Sequence, residues 1–173
     1  MNRAEVEAAL SKDRLWLLET YGTLSADDLT RGLTASEHDP DVMWSALDHL
    51  AHLAGIERAF NAMIRRHLEG HDNPVGLINR PDGQPRSREE IMAAVHKSNE
   101  DWVESQRGKS ISEMIALGQT VRGETLALLG ELSDEQLGEK LPGAPWADGT
   151  IGGVLGVNAL HSRMHYDWFK GEL

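Results

Sequence analysis

Residues 161 to 165 read HSRMH, within the stretch VLGVNALHSRMHYDWF. His161 and His165 stand one helical turn apart, so their side chains share a helix face and come close enough to hold one cation. Such a pair supplies two ligands, and a third must come from elsewhere. The stretch WSALDHLAHLAGIER offers His49 and His52. Three neutral imidazoles leave a coordination position open, the arrangement of a catalytic rather than a closed structural zinc. A water or thiol bound there loses its proton near neutral pH. The chain has no cysteine, so a thiolate would come from a small cofactor. Imidazoles suit zinc, nickel and other late first-row metals. The competing reading makes these histidines core hydrogen-bonders, because a buried polar group left without a partner costs about 1–3 kcal/mol.

The helices that must carry these residues can be read by angle, at about 100° per residue. On the last helix Val154, Val157, Leu160, Met164 and Trp168 define an apolar arc that includes His161 and His165, while Ser162, Arg163 and Asp167 mostly point elsewhere. On the second long helix Leu50, Leu53, Phe60 and Ile64 form the apolar face. His49 lies near its centre and His52 roughly 60° further round, at its edge. Angle alone favours His49 as the inward residue. A site at a bundle mouth, however, is built from helix flanks, which favours His52 and makes His49 a core histidine hydrogen-bonded across the bundle. Glu57 is a candidate general base, with an ion pair to Arg58 or Arg65 as its alternative. His38, His67, His71 and His96 read as solvated or loop residues. Trp16, Trp44, Trp102 and Trp168 read as packing residues, and Trp146 as a cover over the bundle end. Gly152, Gly153 and Gly156 read as points of close helix approach.

Strand signals are nearly absent, and helical spacing runs through the chain. Helices are expected over residues 2–22, 41–69, 87–106, from Ser110 or Ser112 to about Leu132, and from Thr150 to about Lys170. A short turn capped by Ser25 follows the first. Residues 70–86 hold three prolines and three glycines and form a long loop of the kind that covers sites. The expected architecture is all-α: one domain over 1–173, a bundle of four main helices with one or two extra short ones. A length of 173 residues, with 40% hydrophobic and 26% charged, suits one soluble globular domain. The net charge of −11 disfavours nucleic acid and anionic membrane as partners. The N-terminus lacks an apolar signal core and no run is long enough to span a bilayer, so a cytoplasmic location is expected.

Trp44, His52, Leu53 and Glu57, in that spacing, resemble the second helix of the DinB/YfiT-like superfamily. The late HxxxH and the upstream PWADGTIGGVL resemble the same superfamily. HLAGIERAF and HYDW are similar in particular to the DinB-like domain of mycothiol-dependent maleylpyruvate isomerases. Those isomerases carry an additional C-terminal domain and commonly a glutamate at the position of His161. The resemblance implies a four-helix bundle holding a divalent metal, zinc or nickel, on His52, His161 and His165. It further implies a small-molecule substrate, use of a low-molecular-weight thiol or of water in transferase, isomerase or hydrolase chemistry, and a homodimer. A non-enzymatic bundle that sequesters a small molecule is the alternative.

Overall fold

The protein is described here by a computed structural model covering residues 2–80 and 82–173. Side-chain caps set where its helices begin. The first helix, α1 (Arg3–Tyr21), starts at Asn2, whose side chain accepts from the Glu5 N–H while Glu5 accepts from the Asn2 N–H. The same reciprocal box opens α3 (Ala46–Leu68) at Ser45 and Asp48, α4 (Arg88–Gln106) at Ser87 and Glu90, and α5 (Ile111–Glu131) at Ser110 and Glu113. It also opens the short α6 (Asp134–Gly138) at Ser133 and Gln136. Ser25 caps the short α2 (Ala26–Thr30), and Thr150 caps α7 (Ile151–Phe169). Each cap contributes about 0.5–2 kcal/mol.

The second long helix begins at Ala46, five residues later than its periodicity suggests. Residues ahead of it are taken by a two-stranded antiparallel ribbon, β1 (Thr34–Ala35) with β2 (Met43–Trp44), in which Thr34 faces Trp44. The expectation of an all-α fold holds apart from this ribbon. Helices α1, α3, α5 and α7 make the bundle, with α3 against α5 and α7, and α1 against α7 and α5. The two short extra helices are α2 and α6. α4 is as long as α1 but lies outside the bundle, against α3, and buries only Val103 and Gln106. Trp102 fastens it there. Its ring packs directly on Gly55 and its Nε1 donates to the Ala51 carbonyl at 2.7 Å.

Two apolar cores fill the bundle. One gathers Leu10, Phe60, Ile64, Leu128 and Leu155, the other Leu17, Tyr21, Trp44, Leu50 and Phe169. Buried polar residues fall between them along each helix: Asp13 on α1, Glu57 on α3, Arg122 and Thr125 on α5, and Ser162 on α7. Arg122 donates to both Glu57 oxygens, at 2.7 and 3.1 Å, lies 3.6 Å from Asp13 Oδ2 and donates to the Leu10 carbonyl. Thr125 donates to Glu57 at 2.6 Å, and Ser162 donates to Asp13. This layer ties together the four helices that hold the site.

Candidate metal centre

Three imidazoles meet where α3 and α7 pack. His52 is buried on α3, His165 is buried on α7 and His161 is half-buried one turn before it. Each offers one ring nitrogen, and these three atoms lie within 4.8 Å of one another. His161 Nε2 and His165 Nε2 are 3.0 Å apart. The His52 ring centroid is 5.3 Å from that of His161 and 4.6 Å from that of His165. Burial holds all three imidazoles below their ordinary pKa. His161 is pushed down to about 4, and His52 and His165 are lowered by burial, joined by the charges of the neighbouring rings. Neutral imidazole is the form that ligates.

Behind them His49, fully buried, places Nδ1 2.8 Å from His165 Nδ1 and Nε2 2.9 Å from Thr34 Oγ1. Trp44 packs on both α3 histidines, with ring centroids 5.5 Å from His49 and 5.2 Å from His52. The chain of contacts Thr34–His49–His165 admits two proton arrangements. In one, Thr34 Oγ1 accepts from His49 Nε2–H and His49 Nδ1 accepts from His165 Nδ1–H. His165 Nε2 then keeps a free lone pair facing His161 and His52. In the other, every proton is shifted one place and His165 Nε2 carries a proton. Ligation selects the first, in which the outer nitrogen of a ligating histidine donates to a fixed acceptor.

The donor set fits a divalent cation. Its nitrogens are uncharged, two converge at 3.0 Å, close to the roughly 3.3 Å between ligands in tetrahedral zinc with 2.0–2.1 Å bonds, and a further histidine orients one of them. Among the described residues, the buried Nδ1 atoms of His52 and His161 have no hydrogen-bond partner. That argues against a purely hydrogen-bonding role for the cluster, since satisfied core histidines would occupy both nitrogens.

A pocket of about 360 Å³ opens above the three histidines. Its walls include Phe60, Met92, Trp146, Val157, Met164 and Trp168. Trp146 does cover the end of the bundle, 4.7 Å from Phe60 between ring centroids. Three expectations from the sequence need correction. Leu160, Met164 and Trp168 are not on the buried arc of α7; they are 63%, 64% and 44% exposed. The buried face runs instead through Val154, Leu155, Asn158, Ser162, His165 and Phe169, because Ser162 is drawn in by Asp13. Glu57 does not pair with Arg58 or Arg65. Its carboxylate is buried on Arg122 and Thr125, facing α5 rather than the histidines. Arg65 instead pairs with Glu131, and Arg58 lies over the Trp102 ring. His96 is not merely solvated. It lines the pocket and contacts Glu37 at 3.5 Å. Its position on α4, far in sequence from the three histidines, carries no signal of this.

This bundle, with histidines converging from its second and last main helices, defines a class of helical protein that can hold a metal ion. The DinB superfamily model matches residues 37–169, and the chain belongs to that superfamily. A crystal structure of an uncharacterised protein from Escherichia coli UTI89 shares the fold. It is 17% identical, with a TM-score of 0.66 over 98% of this chain and 91% of that one. No curated protein matches the chain. Among the described residues, no helix is long and apolar enough to cross a membrane.

Proposed function

We propose that His52, His161 and His165 bind one divalent metal per chain and that the protein is a metal-dependent enzyme acting on a small molecule. The observation that carries this reading is the convergence of three neutral ring nitrogens on the floor of an open pocket. A bound zinc or nickel ion would act as a Lewis acid and lower the pKa of a water or thiol at its open position. His52, His161 and His165 hold it. His49 orients the His165 ring and fixes its tautomer, with Thr34 as the terminal acceptor. The apolar walls restrict water around the reacting group. Glu57, locked by Arg122 and Thr125, serves as a strut of the bundle rather than as a base.

Within this reading the nucleophile is a low-molecular-weight thiol or water, giving a transferase, isomerase or hydrolase. X-ray absorption on metal-loaded protein tests the ligand set. Three imidazole ligands plus a light exchangeable atom are expected, with one sulfur scatterer appearing when a thiol is added. A carboxylate-rich ligand set would refute it, and no change on adding thiol would leave water as the nucleophile. Sequestration without turnover is the second reading, favoured by the ready-made apolar walls. Multiple turnovers of an electrophile with thiol per protein separate the two.

A further inference from the structure

The wall of the pocket above the three histidines carries an uneven chemistry. Met92 on α4 and Met164 and Trp168 on α7 are 41%, 64% and 44% exposed, and all three line this one pocket with Phe60 and Trp146. Large apolar side chains held at a pocket mouth mark a surface that gains by being covered. The polar atoms on the walls are few. Glu37 is the sole carboxylate, His96 is engaged by it at 3.5 Å, and Asn99 adds an amide. Among the described residues no lysine or arginine lines the pocket.

From this lining we infer that the site accepts uncharged, apolar, preferably aromatic molecules that present one metal-binding heteroatom, and discriminates against molecules bearing a remote carboxylate. This rests on the proposed metal reading for the heteroatom but not for the walls. A ligand's thiol or carbonyl would be met by the cation on the histidines. A second negative group would sit among Met92, Met164 and Trp168 beside Glu37, with no lysine or arginine of the described lining to pair it. An unpaired charge removed from water is costly, and the chain's net charge of −11 adds like-charge repulsion. Glu37 and the apolar rim are therefore specificity determinants. They direct the site away from thiols and substrates built on carboxylates.

Two matched ligand pairs test this. Benzenethiol and 4-mercaptobenzoate are compared by calorimetry on zinc-loaded protein, and toluene and benzoate by ligand-observed NMR on metal-free protein. The member of each pair without the carboxylate should bind at least tenfold more tightly. Met92→Arg, which puts a cation on an exposed wall position, and Glu37→Gln, which removes the repelling charge, should narrow the gap. Should the protein take up no zinc, the metal reading fails while the toluene–benzoate pair still decides the selectivity. A gap below tenfold in the metal-free pair, no binding of toluene at millimolar concentration, or a gap unchanged in both variants overturns the inference.

Discussion

Replacing Arg122 by methionine removes the guanidinium that pairs with both Glu57 and Asp13 in the bundle interior. Arg122, Glu57 and Asp13 are all less than a tenth exposed. The guanidinium makes two hydrogen bonds to Glu57, one to the Leu10 carbonyl and an ion pair with Asp13. Breaking a buried pair by deleting one partner costs about 3–5 kcal/mol, because the other charge is left uncompensated. For a domain of this size that is a fall in Tm of about 6–20 °C. The control is Arg65→Met, whose partner Glu131 and own side chain are about half exposed; that loss should stay below about 1 kcal/mol. The deficit should also depend on pH. Burial already raises the Asp13 pKa, against the lowering effects of Ser162 and Arg122, and removing the guanidinium raises it more. A carboxyl with a raised folded pKa binds a proton that the unfolded chain has released, so stability is lost as pH rises through the folded value and recovered as pH falls. Urea unfolding of both proteins at pH 8 and pH 5 reads this directly. The gap between Arg122→Met and the native protein should shrink at pH 5. A loss no larger than the Arg65→Met control, or a gap that widens on acidification, would refute the reasoning.

Three further outcomes are expected. In zinc titrations His52→Ala should abolish binding at micromolar metal. His49→Ala should weaken it about 10–100-fold and lower stability by opening a cavity at a fully buried position; equal effects of the two would contradict the assigned roles. Gly55→Ala should cost about 1–3 kcal/mol by overpacking, since an added Cβ overlaps the Trp102 ring. Displacing α4, which carries Met92 and His96, should weaken ligand binding more than zinc binding. Metal-free protein should lose stability as pH falls below about 6.5. His49 and His161 are pushed down to about 4 by burial, so the unfolded chain takes up protons the native state refuses. Each such histidine costs about 1.4 kcal/mol per pH unit in that window. Zinc should raise stability at pH 6 without flattening this slope, since a bound imidazole takes up no proton either, and unfolding curves with and without metal check it.

What could be read in advance depended on the range of the interactions. Helix starts are local events, and Ser25, Ser87, Ser110 and Thr150 cap helices at or next to the expected starts, whereas α3 begins at its Ser45 cap inside the expected range. The HxxxH pair is local in the same sense, whereas angle along the second long helix favours His49, and the choice of His52 rests on the family resemblance in its spacing from Trp44 and Glu57 together with the bundle-mouth argument. In the structure His52 lies beside the α7 pair and His49 behind it on His165. The misread features are long-range. Glu57 lies 65 residues from Arg122, and Ser162 lies 149 from Asp13; no spacing along one helix reveals either contact. Apolar periodicity also cannot tell a core face from a pocket wall. Leu160, Met164 and Trp168 satisfy the helical pattern as well as Val154 does, yet they face outward. The two-residue ribbon that shortens α3 is too brief to leave an alternating pattern.

The central claim is most directly tested by metal content. Untagged protein, purified and saturated with zinc or nickel and then freed of excess ion, is measured by mass spectrometry against protein concentration. The account predicts about one metal per chain, lost in the His161→Ala, His165→Ala double variant while its helical circular dichroism is kept. Substoichiometric metal in the native protein, or one equivalent surviving in the double variant, would contradict it.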